Sequence, residues 1–91
     1  MELTLVGTLE GREIRHVVLD GKLLVGRGAD AGLRLAAASV SRKHAEVVRR
    51  GNEVVINDMG SRNGTRVNGR AVEGSANVQA GDTIDFAGLI F

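Results

Sequence analysis

The sequence predicts an all-β domain, because short alternating segments recur between turn residues and no helical periodicity is sustained. Its 91 residues, 43% of them hydrophobic, suffice for one small core. The chain contains no cysteine, and Phe86 and Phe91 are its only Phe, Tyr or Trp residues. The core must therefore consist mainly of Leu, Val, Ile and Ala, without disulfides or thiolate metal ligands.

The strands can be placed in chain order from this alternation. Strand-like segments cover residues 2–6, 13–19, 23–25, 44–49, 53–57, 65–67, 70–72, 83–86 and 89–91. The stretch 29–38 favours a loop with a short strand, since it holds Gly32 and lacks helix caps. Arg50-Gly51-Asn52 suits a tight hairpin loop, and Gly81-Asp82 predicts a turn. Asn68-Gly69 favours a type I′ turn because both residues tolerate positive φ.

About ten such short strands imply two packed sheets, with binding residues on the loops at one end. We expect one domain over residues 1–91. The last strand-like segment begins only at Leu89, which fits the N-terminal part of a longer protein. The sequence shows no signal-peptide pattern and no apolar run long enough to cross a bilayer. We therefore expect a cytoplasmic location and no direct membrane contact by this segment.

The basic residues are unevenly distributed along the chain. The net charge is +1 overall, but residues 26–70 carry nine of the twelve Lys and Arg residues and only four of the eleven acidic ones. This excess of positive charge favours an anionic ligand on one side of the domain. Five of these arginines are expected on ordinary solvated strand faces: Arg34, Arg49, Arg50, Arg66 and Arg70. With no Tyr or Trp, the usual stacking platform for single-stranded nucleic acid is missing, so we expect no nucleic-acid partner.

Several short motifs occur in one order. They are Gly26-Arg27, Ser41-x-x-His44, the run 57–65 (Asn-Asp-Met-Gly-Ser-Arg-Asn-Gly-Thr) with Asn68-Gly69, and Gly81-Asp82. In this order and spacing they resemble the forkhead-associated (FHA) domain, and the similarity covers nearly the whole chain. The resemblance implies a β-sandwich of about eleven short, mostly antiparallel strands that binds phosphothreonine peptides through loops at one end. The proline-free, Arg- and Ala-rich composition is more typical of a bacterial protein.

The resemblance also implies which residues bind the phosphopeptide. These are Arg27, Ser41, Arg42, Arg62 and Asn63. The Arg27 guanidinium offers a planar fork to phosphate oxygens, and the Ser41 hydroxyl can donate to the same group. The side-chain amide of Asn63 carries both a donor and an acceptor for the peptide backbone.

Three further residues are expected to support the site without touching the phosphate: Gly26, His44 and Gly64. Gly26 gives its turn freedom and room for close packing. The resemblance makes His44 a largely buried imidazole that holds the Ser41 loop in shape. Ser61, Thr65 and the turn residues are expected to brace the loops, and Lys43 is expected to point into solvent.

The expected function is phosphorylation-dependent protein–protein interaction in signalling, with a Ser/Thr kinase acting indirectly and no cofactor. An alternative keeps the fold but makes it a scaffold or self-association module that works independently of phosphate. Another is hydrolysis, since Ser41, His44 and Asp58 are the residue types of a catalytic triad, although sequence proximity does not assemble one. We expect no enzyme, and no metal site in a chain with two histidines and no cysteine.

Overall fold

The computed structural model describes residues 2–91 and shows strands and turns, with no helix among them. No segment of these residues is a helix that could span a membrane. The eleven strands are β1 (Leu3–Leu9), β2 (Arg12–Val18), β3 (Gly21–Gly26), β4 (Leu33–Arg34), β5 (Ala45–Arg50), β6 (Glu53–Asp58), β7 (Thr65–Val67), β8 (Arg70–Ala71), β9 (Ser75–Val78), β10 (Ile84–Phe86) and β11 (Leu89–Ile90). The all-β prediction is confirmed.

The strands form a five-stranded sheet of order β4-β3-β5-β6-β9, a four-stranded sheet of order β11-β10-β7-β8, and the β1-β2 hairpin. All pairs are antiparallel except β3 with β4. The hairpin lies against β11, where a Cβ on Gly7 would meet the Phe91 ring at 2.6 Å and the Ile90 carbonyl oxygen at 2.7 Å. Only glycine allows β1 to approach β11 this closely.

The core lies between the sheets and follows the alternation of their strands. On β5 and β6 the buried apolar side chains are Ala45, Val47, Val54 and Ile56, each two residues from the next on its strand. Phe86, fully buried on β10, packs edge-on against His44 with ring centroids 6.1 Å apart. The core thus continues directly beneath the loops that follow β3, β4 and β6.

The predicted hairpin turns are confirmed, and their glycines have the required backbone conformation. Gly51 has φ +60° in the two-residue β5-β6 loop. Asn68 and Gly69 have φ +50° and +81°, the double positive φ that a type I′ turn needs. Asn68 also accepts a hydrogen bond from the Thr83 backbone at 2.9 Å and donates to Asp82 at 3.1 Å.

One strand was missed, and one prediction about an individual residue was wrong. Strand β9 was not predicted, and Arg49 does not lie on a solvated face. Arg49 is only 9% exposed, and its guanidinium donates to the Val18 carbonyl oxygen at 2.6 Å and to the Gly51 carbonyl oxygen at 3.0 Å. The alternation that buries Ala45 and Val47 also turns Arg49 inward, where these two carbonyl oxygens accept hydrogen bonds from its guanidinium.

Candidate functional site

Three loops meet at one end of the two layers. They are loop A (27–32) between β3 and β4, loop B (35–44) between β4 and β5, and loop C (59–64) between β6 and β7. They share this end because β3 and β6 finish there while the antiparallel strand β5 begins there. The predicted binding residues all lie on these three loops.

Arg27 is hydrogen-bonded to loop B through both its backbone and its side chain. Its N–H donates to the Ser41 carbonyl oxygen at 2.9 Å, and its Nε donates to the Val40 carbonyl oxygen at 3.0 Å. The Arg34 Nε donates in turn to the Arg27 carbonyl oxygen at 3.0 Å, so an arginine expected only on a solvated face also braces loop A. The contact with Val40 uses Nε alone, so the terminal guanidinium nitrogens of Arg27 remain available to an anion.

Ser41 joins all three loops. Its carbonyl oxygen accepts from Arg27 on loop A, its N–H donates to His44 Nδ1 at 3.1 Å, and its Oγ accepts from the Arg62 backbone on loop C at 2.9 Å. An Oγ that accepts one hydrogen bond still has its own proton to donate. Ser41 can therefore donate to a ligand without giving up the contact that orders loop C.

Arg27, Ser41, Arg42 and Arg62 line one open surface pocket together with residues 38–40; we call this the loop pocket. It contains three guanidinium groups and no carboxylate. The ion pairs of residues 2–91 lie elsewhere, at Glu13–Arg15 and Asp20–Arg49. No arginine of the loop pocket forms an ion pair with a carboxylate of the described residues, and the three guanidinium groups favour an anion such as phosphate.

Asn63 lies beside the loop pocket and is held by loop B. Its Nδ2 donates to the Ser39 carbonyl oxygen at 2.7 Å, and the Ser39 hydroxyl donates to the Ala87 carbonyl oxygen at 3.0 Å. One amide proton and the amide oxygen of Asn63 stay available for a peptide backbone. Lys43 is exposed and is not among the residues that line the loop pocket.

Gly26 supports the site by its lack of a side chain. A Cβ there would lie 2.0 Å from the Arg42 carbonyl oxygen and 3.0 Å from that of Ser41. Gly26 is not among the residues with positive φ, so close approach alone demands glycine and the expected turn freedom is not used. Without this approach, loop B could not make its hydrogen bonds to Arg27.

His44 is fully buried and links loops B and C beneath the pocket. Its Nδ1 accepts from the Ser41 backbone, so the ring proton lies on Nε2, which donates to the Gly64 carbonyl oxygen at 2.8 Å. Gly64 itself has φ +84°, a conformation that favours glycine. Both ring nitrogens of His44 are thus hydrogen-bonded to backbone groups, one on loop B and one on loop C, and its expected role in supporting the site stays a prediction.

Asp58 is a supporting residue that the sequence interpretation missed, except as a triad candidate. Its carboxylate accepts from the Ser61 hydroxyl at 2.5 Å, from the Thr65 hydroxyl at 2.8 Å, and from the backbone of Gly60 and Ser61 at 3.1 Å. Partial burial raises the pKa of Asp58, but these hydrogen bonds outweigh it and hold the pKa below its ordinary value. An Asp two and three residues before the donors is the pattern of an Asx turn, which was the available signal.

These contacts do not assemble a hydrolytic triad. Both ring nitrogens of His44 are engaged by backbone groups, and the Asp58 carboxylate is occupied by loop C. The Ser41 hydroxyl is hydrogen-bonded to the Arg62 backbone. Within residues 2–91 there is also no group of three or more His, Asp or Glu side chains placed to hold a metal ion.

Comparison with known proteins places this chain in one family. The family model described as FHA domain matches residues 23–87. The chain is 41% identical over 64 residues to the FHA domain-containing protein FhaA of Mycobacterium tuberculosis, covering 70% of this chain and 12% of that protein. It is 42% identical over 59 residues to the oxoglutarate dehydrogenase inhibitor of Corynebacterium jeikeium, covering 65% of this chain and 40% of that protein. The chain therefore spans less than half the length of these bacterial relatives.

Several solved structures are similar over almost the entire chain, and two of them illustrate the likeness. The FHA domain of the CT664 protein from Chlamydia trachomatis superposes with a TM-score of 0.90 at 26% identity, covering 99% of this chain and 93% of that one. EmbR of Mycobacterium tuberculosis, determined in complex with a low affinity phosphopeptide, superposes with a TM-score of 0.85 at 31% identity. The match covers 97% of this chain and 23% of EmbR.

Proposed function

Because this chain belongs to the FHA domain family, we propose that it binds phosphothreonine segments of partner proteins through the loop pocket. Domains of this family are interaction modules rather than enzymes. A phosphothreonine carries a charge of about −1.5 to −2 near neutral pH and three acceptor oxygens. The loop pocket offers guanidinium and hydroxyl donors that match this chemistry.

The single observation that carries the proposal is the position of Ser41. It is hydrogen-bonded to Arg27 and to the Arg62 backbone, and it lines the loop pocket together with three arginines. A phosphate at this point would meet donors from all three loops. The Asn63 amide beside the pocket would hold the peptide backbone and fix its orientation.

The expected affinity is modest. Three or four charge-assisted hydrogen bonds contribute roughly 1.5 to 3 kcal/mol each. Ordering the peptide and losing translational freedom cost at least about 4 kcal/mol. At the upper end of these ranges the balance is about 8 kcal/mol, which corresponds to a dissociation constant on the order of micromolar and suits reversible assembly. A kinase that phosphorylates the partner would then control when the two proteins associate.

Selection from a degenerate phosphothreonine peptide library, followed by titration of one selected peptide, tests the proposal. The peptide is compared in its phosphothreonine, phosphoserine and unphosphorylated forms against wild type, Arg27→Ala and the control Arg70→Ala. Arg70 is an exposed arginine on β8, outside the three loops. We expect binding to the phosphothreonine form, and its loss in Arg27→Ala but not in Arg70→Ala. Equal binding of all three forms would instead support a scaffold that works independently of phosphate.

A further inference from the structure

Strand β2 presents the longest strand edge that no other element covers among residues 2–91, since the outer edge of the equally long β1 lies against β11. All seven of its residues, Arg12–Val18, pair with β1, and the sheet order gives β2 no neighbour on its other side within the described chain. The free edges of the two larger sheets are shorter, since β4, β8 and β11 have two residues each and β9 has four. A strand edge of this length exposes a row of backbone donors and acceptors that can pair with another strand.

The side chains of β2 alternate between two faces. Glu13 and Arg15 lie on the outer face, where Arg15 Nε is 2.8 Å from Glu13 Oε1. Their side chains are 55% exposed for Glu13 and 67% exposed for Arg15. Ile14 lies on the opposite face, where it is partly buried against the core. An edge strand that carries charges of a single sign repels a second copy of itself. Opposite charges two residues apart instead allow one antiparallel register in which each charge faces the opposite charge of the second copy.

We infer that β2 pairs antiparallel with β2 of a second copy, centred on Ile14. In this register Glu13 of each copy faces Arg15 of the other, and the two Ile14 side chains meet on the core-facing side. Centring the pair on Arg15 would oppose two arginines, and centring it on Glu13 would oppose two glutamates. Among the registers centred on residues 13, 14 and 15, the charge pattern therefore favours the one centred on Ile14.

A symmetric pairing of this kind forms a closed dimer, because the same surface is used by both copies. The partly exposed Ile14 gives the symmetry axis an apolar contact, and the four charges around it alternate in sign. The interface involves none of the three loops, so this self-association does not depend on phosphate binding. The dimer interface is thus the outer edge of β2, and both loop pockets stay accessible to ligands.

The direction of β2 determines how the dimer would present those pockets. Strand β3 runs toward Arg27 and the loop pocket, whereas β2 ends at Val18, beside Arg49 and the Gly51 turn at the far end. Antiparallel pairing of the β2 strands therefore directs the two loop pockets in opposite directions. Such a dimer would connect two separate phosphorylated partners rather than grip two phosphates on a single segment.

Sedimentation velocity over a concentration series tests this pairing with a charge swap. The proteins are wild type, Glu13→Arg, Arg15→Glu, the double variant Glu13→Arg/Arg15→Glu, and the control Glu73→Arg, which makes the same charge change at an exposed position outside β2. We expect concentration-dependent dimers in the wild type and the control, monomers in both single variants, and recovery of the dimer in the double variant.

Other results would overturn the pairing. A wild type that stays monomeric at every concentration excludes a dimer, and single variants that dimerise like the wild type place its interface elsewhere. A double variant that stays monomeric while its circular dichroism matches the wild type removes the Glu13–Arg15 register. Hydrogen exchange gives a second measurement, since β2 amides should gain protection with concentration in the wild type and not in either single variant.

Discussion

Replacing Ser41 with alanine should weaken phosphopeptide binding while leaving the fold nearly intact. The Ser41 hydroxyl accepts from the Arg62 backbone at 2.9 Å and keeps one proton for the ligand. A hydrogen bond to a charged group contributes about 1.5 to 3 kcal/mol, so its loss should raise the dissociation constant by about 10-fold to about 150-fold. Arg62 is exposed, so water can replace the lost acceptor of its N–H, and we expect little loss of stability.

Isothermal titration with the selected phosphothreonine peptide measures this loss, and urea unfolding measures the stability. Ser39→Ala is a matched control, because Ser39 lies on the same loop but donates its hydroxyl to the Ala87 carbonyl oxygen. We expect Ser39→Ala to bind within a fewfold of the wild type. If Ser41→Ala and Ser39→Ala bind equally well, the hydroxyl of Ser41 does not contact the phosphate.

Four further changes test the support of the site. Gly26→Ala should abolish detectable titration with the phosphopeptide, since its Cβ would lie 2.0 Å from a backbone oxygen of loop B; near-normal binding would contradict this. His44→Ala empties a fully buried position and leaves two partly buried backbone groups unpaired; it should lower the free energy of unfolding in urea by about 3 kcal/mol or more, with binding lost through the fold. Because the folded pKa of Asp58 is lowered, its stabilisation is present above about pH 4 and is lost as the pH falls through that folded value. Urea unfolding over a pH series should show that Asp58→Asn makes the free energy of unfolding less dependent on pH below about pH 4. A variant with the same acid dependence as the wild type would contradict this role of Asp58. Arg49→Met should lower stability by about 1 to 3 kcal/mol through the Val18 carbonyl while peptide affinity stays unchanged.

The fold class was predictable because local signals agreed with the final architecture. The alternation of apolar and polar residues predicted most of the strands. The Asn68-Gly69 pair predicted the β7-β8 hairpin, because both residues adopt the positive φ that its turn requires. Strand β9 gave no such signal, because Ser75-Ala76-Asn77-Val78 has weak strand propensity and forms through its pairing with β6. That pairing joins segments distant in sequence, and no local pattern reports it.

The site was predictable as a set of loops but not as a set of contacts. The motifs pointed to Arg27, Ser41 and Asn63, and the structure brings their loops together. The partners of these residues are mostly backbone carbonyls and N–H groups of other loops. Such groups are present at almost every residue, so sequence carries no sign of which one is used. Arg49 differs, since strand alternation alone would have directed it inward.

Loops B and C are joined by one buried residue and by one at the surface. The proposed ligand contact therefore involves a different side chain from the one that holds the loops together in the core. The buried joint is His44, whose two ring nitrogens are both occupied by backbone groups. The surface joint is the hydroxyl of Ser41, which holds loop C and still has a proton to donate. Under the proposed function, a phosphate would engage the Ser41 hydroxyl, while the hydrogen bonds of His44 hold the two loops together beneath it. Because the site is braced before binding, less of the interaction energy is spent on ordering the loops, and a few hydrogen bonds in an open pocket can suffice.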